Sequence, residues 1–201
     1  MSSSIDFYFD FSSPYGYLAS EKIEALAARH GRSVNFRPVL LGFIFKQTGA
    51  MPLTQIPLKG DYSRRDMERS AKFHGIADFR MPSKFPIPSQ AAARIVLWTQ
   101  QRDAAVAVRI VHALYHAFFV DDRDISDPDT AVAVAATCGV DAAAARAAID
   151  DPAIKDALKR ANDDAIARGV FGSPFIVVDG EPFWGVDHLV QVDRWLETGG
   201  W

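Results

Sequence analysis

Apolar and polar positions alternate from Ile5 to Phe11, and most of the apolar ones are aromatic. A period of two with that much ring surface predicts a strand buried near the centre of a sheet. The period changes at Pro14. Tyr17, Leu18, Ile23, Leu26 and Ala27 recur at helical spacing, and Pro14 suits a first helical position because its φ is fixed and its missing N–H is no loss. Gly31 is placed to end that helix, and Ser33 to Val39 reads as a second strand. Strand, helix and strand in that order favour parallel pairing with a right-handed crossover.

The pattern then loosens. Leu40 to Pro88 carries Pro52, Pro57, Pro82, Pro86 and Pro88, which is too long for a structureless loop, so it is expected to hold short helices such as one over Asp61 to Gly75. Ser89 to Val120 reads as two helices divided near Gln101-Arg102-Asp103. Ser126-Asp127-Pro128 starts another, which Gly139 stops; Asp141 to Ile149 and Asp151-Pro152 to Arg168 extend the helical block, with Gly169 as its cap. Strands return at Pro174 to Val178 and Pro182 to Trp184, joined by the hairpin signal Asp179-Gly180. Asp187 is placed to cap a last helix over His188 to Glu197. The order βαβ, helices, ββα predicts one α/β unit: a thioredoxin-like part at about 1–60 plus 170–201, with an all-helical insertion at about 61–169.

Composition narrows the partners. Of 201 residues 49% are hydrophobic and 23% charged, which is ordinary for a soluble globular domain. A net charge of −3 offers no global basic field to nucleic acid or an anionic membrane. The single cysteine, Cys138, rules out an internal disulfide framework, and its apolar helical surroundings read it as a buried small hydrophobe. The start Met1-Ser2-Ser3-Ser4 has no positive charge, and Asp6 and Asp10 break the apolar run behind it. Neither a signal peptide nor a membrane span is expected there, and the cytoplasm is the default compartment.

Three places could carry chemistry. Ser12, Ser13, Pro14 and Tyr15 stand where a strand end meets a helix N-terminus, a place where ligands gather in such sheets. A serine there can simply cap the helix; with the free N–H groups it can also hold an anion such as a thiolate. Gly172-Ser173-Pro174 is second, since a cis proline at a sheet end would leave the preceding backbone open to a ligand, whereas a trans one would merely start a strand. Asp187 is third, as a cap or a ligand contact. His112 and His116 lie four apart on a helix but have no acidic or cysteine partner at tight spacing, so no metal is expected. The run Asp121, Asp122, Asp124, Asp127 and Asp129 lacks the glycine and spacing of a calcium loop and reads as a solvated connection.

The blocks "DFYFDFSSPYGYLA", "LGFIFKQTGAMP", "PLKGDYSRRDMERSAKFHG", "FPIPS" and "GVFGSPFIVVDGEPFWGVDHL" span nearly the whole chain in order. Together they resemble the 2-hydroxychromene-2-carboxylate isomerases, relatives of the kappa-class glutathione transferases and the bacterial disulfide oxidoreductases. The resemblance implies a thioredoxin domain with a helical insertion, glutathione as the cofactor, a small aromatic carboxylate as substrate, and a homodimer. Where the disulfide oxidoreductases place Cys-x-x-Cys, this chain has Ser13-Pro14-Tyr15-Gly16, so dithiol chemistry at that motif is excluded. The resemblance makes Ser13 the catalytic serine that favours the thiolate of bound glutathione, with Tyr15 beside it. It makes the Ser173 backbone, before a cis Pro174, the partner of the cysteinyl part. Trp184, Gly185, Val186 and Asp187 then hold the glutamyl end, Lys59 meets the glycyl carboxylate, Lys46 is associated with the aromatic substrate's carboxylate, and Phe85 also lines the substrate's place. Three amide side chains of the pattern are missing, at Ala50, Pro88 and Val186, which makes the implied pocket more apolar. The resemblance implies an isomerase of an aromatic-degradation intermediate; a kappa-like transferase or peroxidase and a non-catalytic glutathione-binding module are the alternatives.

Overall fold

The computed structural model describes residues 4–201; Met1, Ser2 and Ser3, part of the uncharged N-terminal stretch, lie outside the described residues. Strand β1 (Ile5–Phe9) runs inside the sheet. It pairs in parallel with β2 (Val34–Pro38) and antiparallel with β3 (Phe175–Val178), which pairs antiparallel with β4 (Glu181–Trp184), giving the order β2-β1-β3-β4. Helix α1 (Pro14–Arg29) joins β1 to β2. The hairpin turn has positive φ at both Asp179 (52°) and Gly180 (94°), as a type I′ turn requires.

Alternation along β1 sorts its side chains between two cores. Ile5, Phe7 and Phe9 enter the main core, where α1 and the helical block meet the sheet, whereas Tyr8 packs on the opposite face with Val39, Ile44, Ala165, Val170 and Phe175. Each large side chain so buried contributes about 1.5–3 kcal/mol. The helical block comprises α3 (Lys59–Phe73), α4 (Gln90–Gln100), α5 (Ala104–Phe119), α6 (Pro128–Ala136), α7 (Ala142–Asp150) and α8 (Pro152–Ala167). Tyr17 of α1 stacks on Phe119 of α5 at 5.3 Å and meets Tyr115 at 5.7 Å, which fixes α1 against that block. Among the described residues no helix is long and apolar enough to cross a membrane.

Three expectations need correcting, and a fourth, of short helices between Leu40 and Pro88, is filled in. β1 ends at Phe9, not Phe11, because the Asp10 carboxylate turns back to accept from the Ser12 N–H at 2.7 Å; Phe11 stays buried beyond the strand. Leu41–Thr48 forms a helix, α2, that the proline-rich pattern hides. Asp187 does not cap the last helix. The chain makes a 3-10 turn over Val186–His188, so α9 (Leu189–Thr198) has His188 at its cap position without a side-chain bond. Cys138 lies in the turn after α6, half-buried and not inside the helix.

Candidate active site

The site grows from the end of β1. Ser13 is the N-cap of α1, with extended backbone (φ −110°, ψ 109°), and its Oγ accepts the Gly16 N–H at 3.0 Å. The same hydroxyl donates to the Ser173 carbonyl at 2.8 Å, across the gap to the strand that follows. Capping and bridging therefore coincide in one buried side chain. Pro14 has no N–H, Gly16 N is held by Ser13 Oγ, and Tyr17 N by Ser13 O (3.0 Å). Of the N–H groups of that first turn, Tyr15's is left without an acceptor among the described residues and stands at the positive end of the helix.

Asp10 organises the floor. Its Oδ1 accepts from Ser12 N (2.7 Å) and its Oδ2 from Leu41 N (2.6 Å), so one carboxylate ties the entries of α1 and α2 together. Burial pushes its pKa up, and the bonds from Ser12, Leu41 and the Ser89 side chain oppose that rise. The Asp10 N–H donates to Ser173 Oγ at 3.0 Å, and its carbonyl accepts from the Tyr115 hydroxyl at 3.0 Å. Burial, with the Asp10 charge nearby, drives the Tyr115 phenol far up, so that it keeps its proton and the hydrogen bond to that carbonyl. A Cβ on Gly16 would lie 2.7 Å from the Tyr115 hydroxyl and 2.9 Å from Ser173 Oγ. The last position of the Ser-x-x-Gly motif is thus closed to any side chain by packed polar groups.

The hairpin supplies the facing wall. The Ser173–Pro174 peptide is cis, as expected, and Phe85–Pro86 is a second cis bond. Gly185, at φ 104°, donates its N–H to the Pro174 carbonyl at 3.1 Å. The Asp187 carboxylate folds back over it, where a Cβ on Gly185 would come within 2.4 Å of Oδ1. That carboxylate is 79% exposed and stands 3.5 Å from His188 Nδ1. Trp184 lies across Gly172 and meets Phe171 at 5.0 Å.

The family model for the DsbA-like thioredoxin domain matches residues 4–197. The chain belongs to that family. It is similar to a 2-hydroxychromene-2-carboxylate isomerase of Sphingobium xenophagum, with 32% identity covering 98% of this chain and 99% of the relative. It is also similar to glutathione S-transferase kappa 2 of Caenorhabditis elegans, with 27% identity over 96% of this chain and 91% of the relative. A solved 2-hydroxychromene-2-carboxylate isomerase has the same fold, with a TM-score of 0.86 at 24% identity over 96% of this chain and 94% of the other.

Within this DsbA-like chain the structure joins some of the expected residues and leaves others apart. Ser13, Ser173, Pro174, Gly185 and Asp187 form one connected wall. Val186 is buried beneath it. Tyr15 turns away from the serines: its hydroxyl donates to Asp66 of α3 at 2.6 Å, and burial together with that carboxylate raises its pKa. Phe85 is half-buried against the main core in the loop before α4. Lys46 and Lys59 are exposed, on α2 and at the start of α3, and no hydrogen bond or ion pair among the described residues joins either to the wall. His112 engages Glu24 (2.7 Å) and Glu21 (3.4 Å), while His116 engages Asp121 (3.3 Å); among the described residues no three potential metal ligands gather. Asp122 and Asp124 anchor Ser83 and Lys84, and Asp127 caps α6. Sequence reasoning missed Asp10, Tyr115 and Gly16. The signal for Asp10 was an acidic residue flanked by Phe9 and Phe11 at a strand end; Tyr115 gave none.

Proposed function

We propose that this chain is a glutathione-dependent isomerase of 2-hydroxychromene-2-carboxylate or a related aromatic-degradation intermediate. One observation carries the reading: a buried serine hydroxyl, not a thiol, stands at the start of α1, and the chain's single cysteine lies elsewhere, after α6. The sulfur has to come from a ligand. The donor set fits glutathione: a hydroxyl and a free N–H for a thiolate, a backbone carbonyl for an amide, and an open carboxylate for an ammonium. Bound glutathione would supply a sulfur nucleophile able to add reversibly to an unsaturated substrate and so let a double bond rotate.

The protein's part is electrostatic. A free thiol has a pKa of about 8.5, so at neutral pH it is mostly protonated without help. The N-terminal end of α1 and the Ser13 hydroxyl act on the same charge. Ser13 keeps Gly16 N as its donor and turns its own proton from the Ser173 carbonyl to the sulfur; a ligand amide taking that carbonyl would release the hydroxyl. No histidine or carboxylate contacts Ser13 among the described residues, so it lacks the base a serine nucleophile needs.

The test is a spectrophotometric isomerase assay with and without glutathione, on wild type and Ser13→Ala. Wild type should turn over only with glutathione. The variant should lose about 10²-fold in rate, as for one oxyanion donor, and should raise the thiol pKa of bound glutathione. Full activity with an unchanged thiol pKa would exclude Ser13 from the sulfur site. Turnover of an electrophile or peroxide without isomerisation would favour the kappa-like reading.

A further inference from the structure

Two adjacent serines open α1. Ser12 lies in the turn closed by the Ser13 N–H to the Asp10 carbonyl at 2.9 Å, and Ser13 leaves that turn with extended backbone, so the two side chains meet different partners. Ser13 is buried and reaches the Ser173 carbonyl on the hairpin wall. Ser12 is half-buried, and its Oγ accepts the Ile87 N–H at 3.1 Å, on the side of the loop that carries Phe85. Its backbone is pinned as well, through its own N–H to Asp10 Oδ1. The hydroxyl is therefore oriented through its lone pair, while no acceptor among the described residues takes its proton.

We propose that Ser12 is a second hydroxyl donor of the site, serving the acceptor molecule and not the sulfur, and that its partner is an anionic oxygen such as an aromatic carboxylate. This rests on the glutathione reading for the identity of the neighbour on the Ser13 side. Three observations direct the assignment. The proton is uncommitted and already aimed by the Ile87 amide. The free Tyr15 N–H and the positive end of α1 favour negative charge at this entry. The Asp10 oxygens accept the Ser12 and Leu41 amides, so that carboxylate does not take the Ser12 hydroxyl proton. Ser12 would thus take the substrate's charge while Ser13 takes the thiolate's.

The test compares two probes that differ at one group, 2-hydroxybenzoate and 2-hydroxybenzamide, titrated calorimetrically into the full chain with and without saturating glutathione. Wild type should favour the carboxylate by about tenfold, the worth of one charge-assisted hydrogen bond. Ser12→Ala should abolish that preference, and Ser12→Thr, which keeps the hydroxyl, should retain it. Ser12→Ala should leave the thiol pKa of bound glutathione where wild type has it. Loss of both probes equally in Ser12→Ala would make Ser12 a loop support only. An absent preference in wild type, or one that survives Ser12→Ala, would overturn the proposal. A thiol pKa that moves as in Ser13→Ala would move Ser12 to the sulfur. If wild type takes up no glutathione at all, the glutathione reading fails, while the probe pair in the ligand-free arm still decides Ser12.

Discussion

The floor of the site and the arm over residues 41–88 are built in opposite ways. The floor is a closed polar network: Asp10, Ser13, Ser173 and Tyr115 are buried, and each has its hydrogen-bond partners inside the protein. The arm buries Ile44, Met67, Ala71, Phe79 and Ile87 but displays a second set of large side chains. Met51, Leu53, Leu58 and Tyr62 are exposed, as are both lysines assigned to ligand by resemblance, and Leu58 itself takes a positive φ of 66° at the entry of α3. A floor held from within is set before any ligand arrives. An arm of open side chains can change its contacts at little cost, so the proposed thiol contacts rest on the fixed part and the lysines assigned by resemblance on the adaptable one. Substitutions should divide along the same line.

The largest effect is expected at Asp10. Asp10→Ala leaves the half-buried N–H groups of Ser12 and Leu41 without their acceptor, each costing about 1–3 kcal/mol, so the fold should lose roughly 2–6 kcal/mol in urea denaturation, toward the low end where water reaches them. A loss within about 0.5 kcal/mol, the range of an ordinary surface change, would show that the floor is not held from Asp10. Next comes Gly16→Ala, whose added methyl would overlap the Tyr115 hydroxyl. Overpacking of this kind costs about 1–3 kcal/mol. Adding Tyr115→Phe, which removes the overlapped oxygen, should recover part of that loss. If it worsens it additively, the crowding lies elsewhere.

How much of this was legible follows the same division. The alternation of Ile5 to Phe9, Pro14 at a helix start, and Asp179-Gly180 between two apolar runs are local signals, and each placed its element. The serine corner and Ser173 were legible for the same reason. What failed depends on distant partners. α2 has no side-chain cap of its own; its first N–H is satisfied by Asp10, 31 positions earlier. Tyr115 reaches the site only because α5 packs on α1. Asp187 fits a cap by position, but a single 3-10 turn moves the helix start past it and leaves the carboxylate facing outward.

A smaller contrast lies between the two charges that the resemblance assigns to glutathione. Asp187→Ala should weaken glutathione binding by about tenfold, the low end for a lost charged hydrogen bond, because its carboxylate is so exposed. Lys59→Ala should change it by no more than about threefold, as for an exposed pair. Calorimetric titration of both variants measures the difference. If the order reverses, the arm, not the hairpin, anchors the ligand.

The smallest expected effect is a pH dependence outside the site. His112 on α5 stands between Glu21 and Glu24 of α1. Burial alone would lower its pKa, but the hydrogen bonds and charges of the two glutamates outweigh burial and hold it above the usual 6.5. The folded state therefore binds that proton more tightly than the unfolded chain. Its contribution is full below the unfolded value near 6.5 and is lost as pH rises through the higher folded value. With the side chain 30% exposed, the effect should be a few tenths of a kcal/mol, weakening with salt. His112→Gln also loses the ring contact with Phe36 at 5.8 Å, but that loss is the same at every pH. The readout is thus the gap in Tm between wild type and variant, widest near pH 6 and narrowing above the folded pKa. A gap that stays constant from pH 6 to 9 would mean that the two glutamates do not hold the imidazolium, leaving α1 fixed to α5 by its aromatic contacts alone.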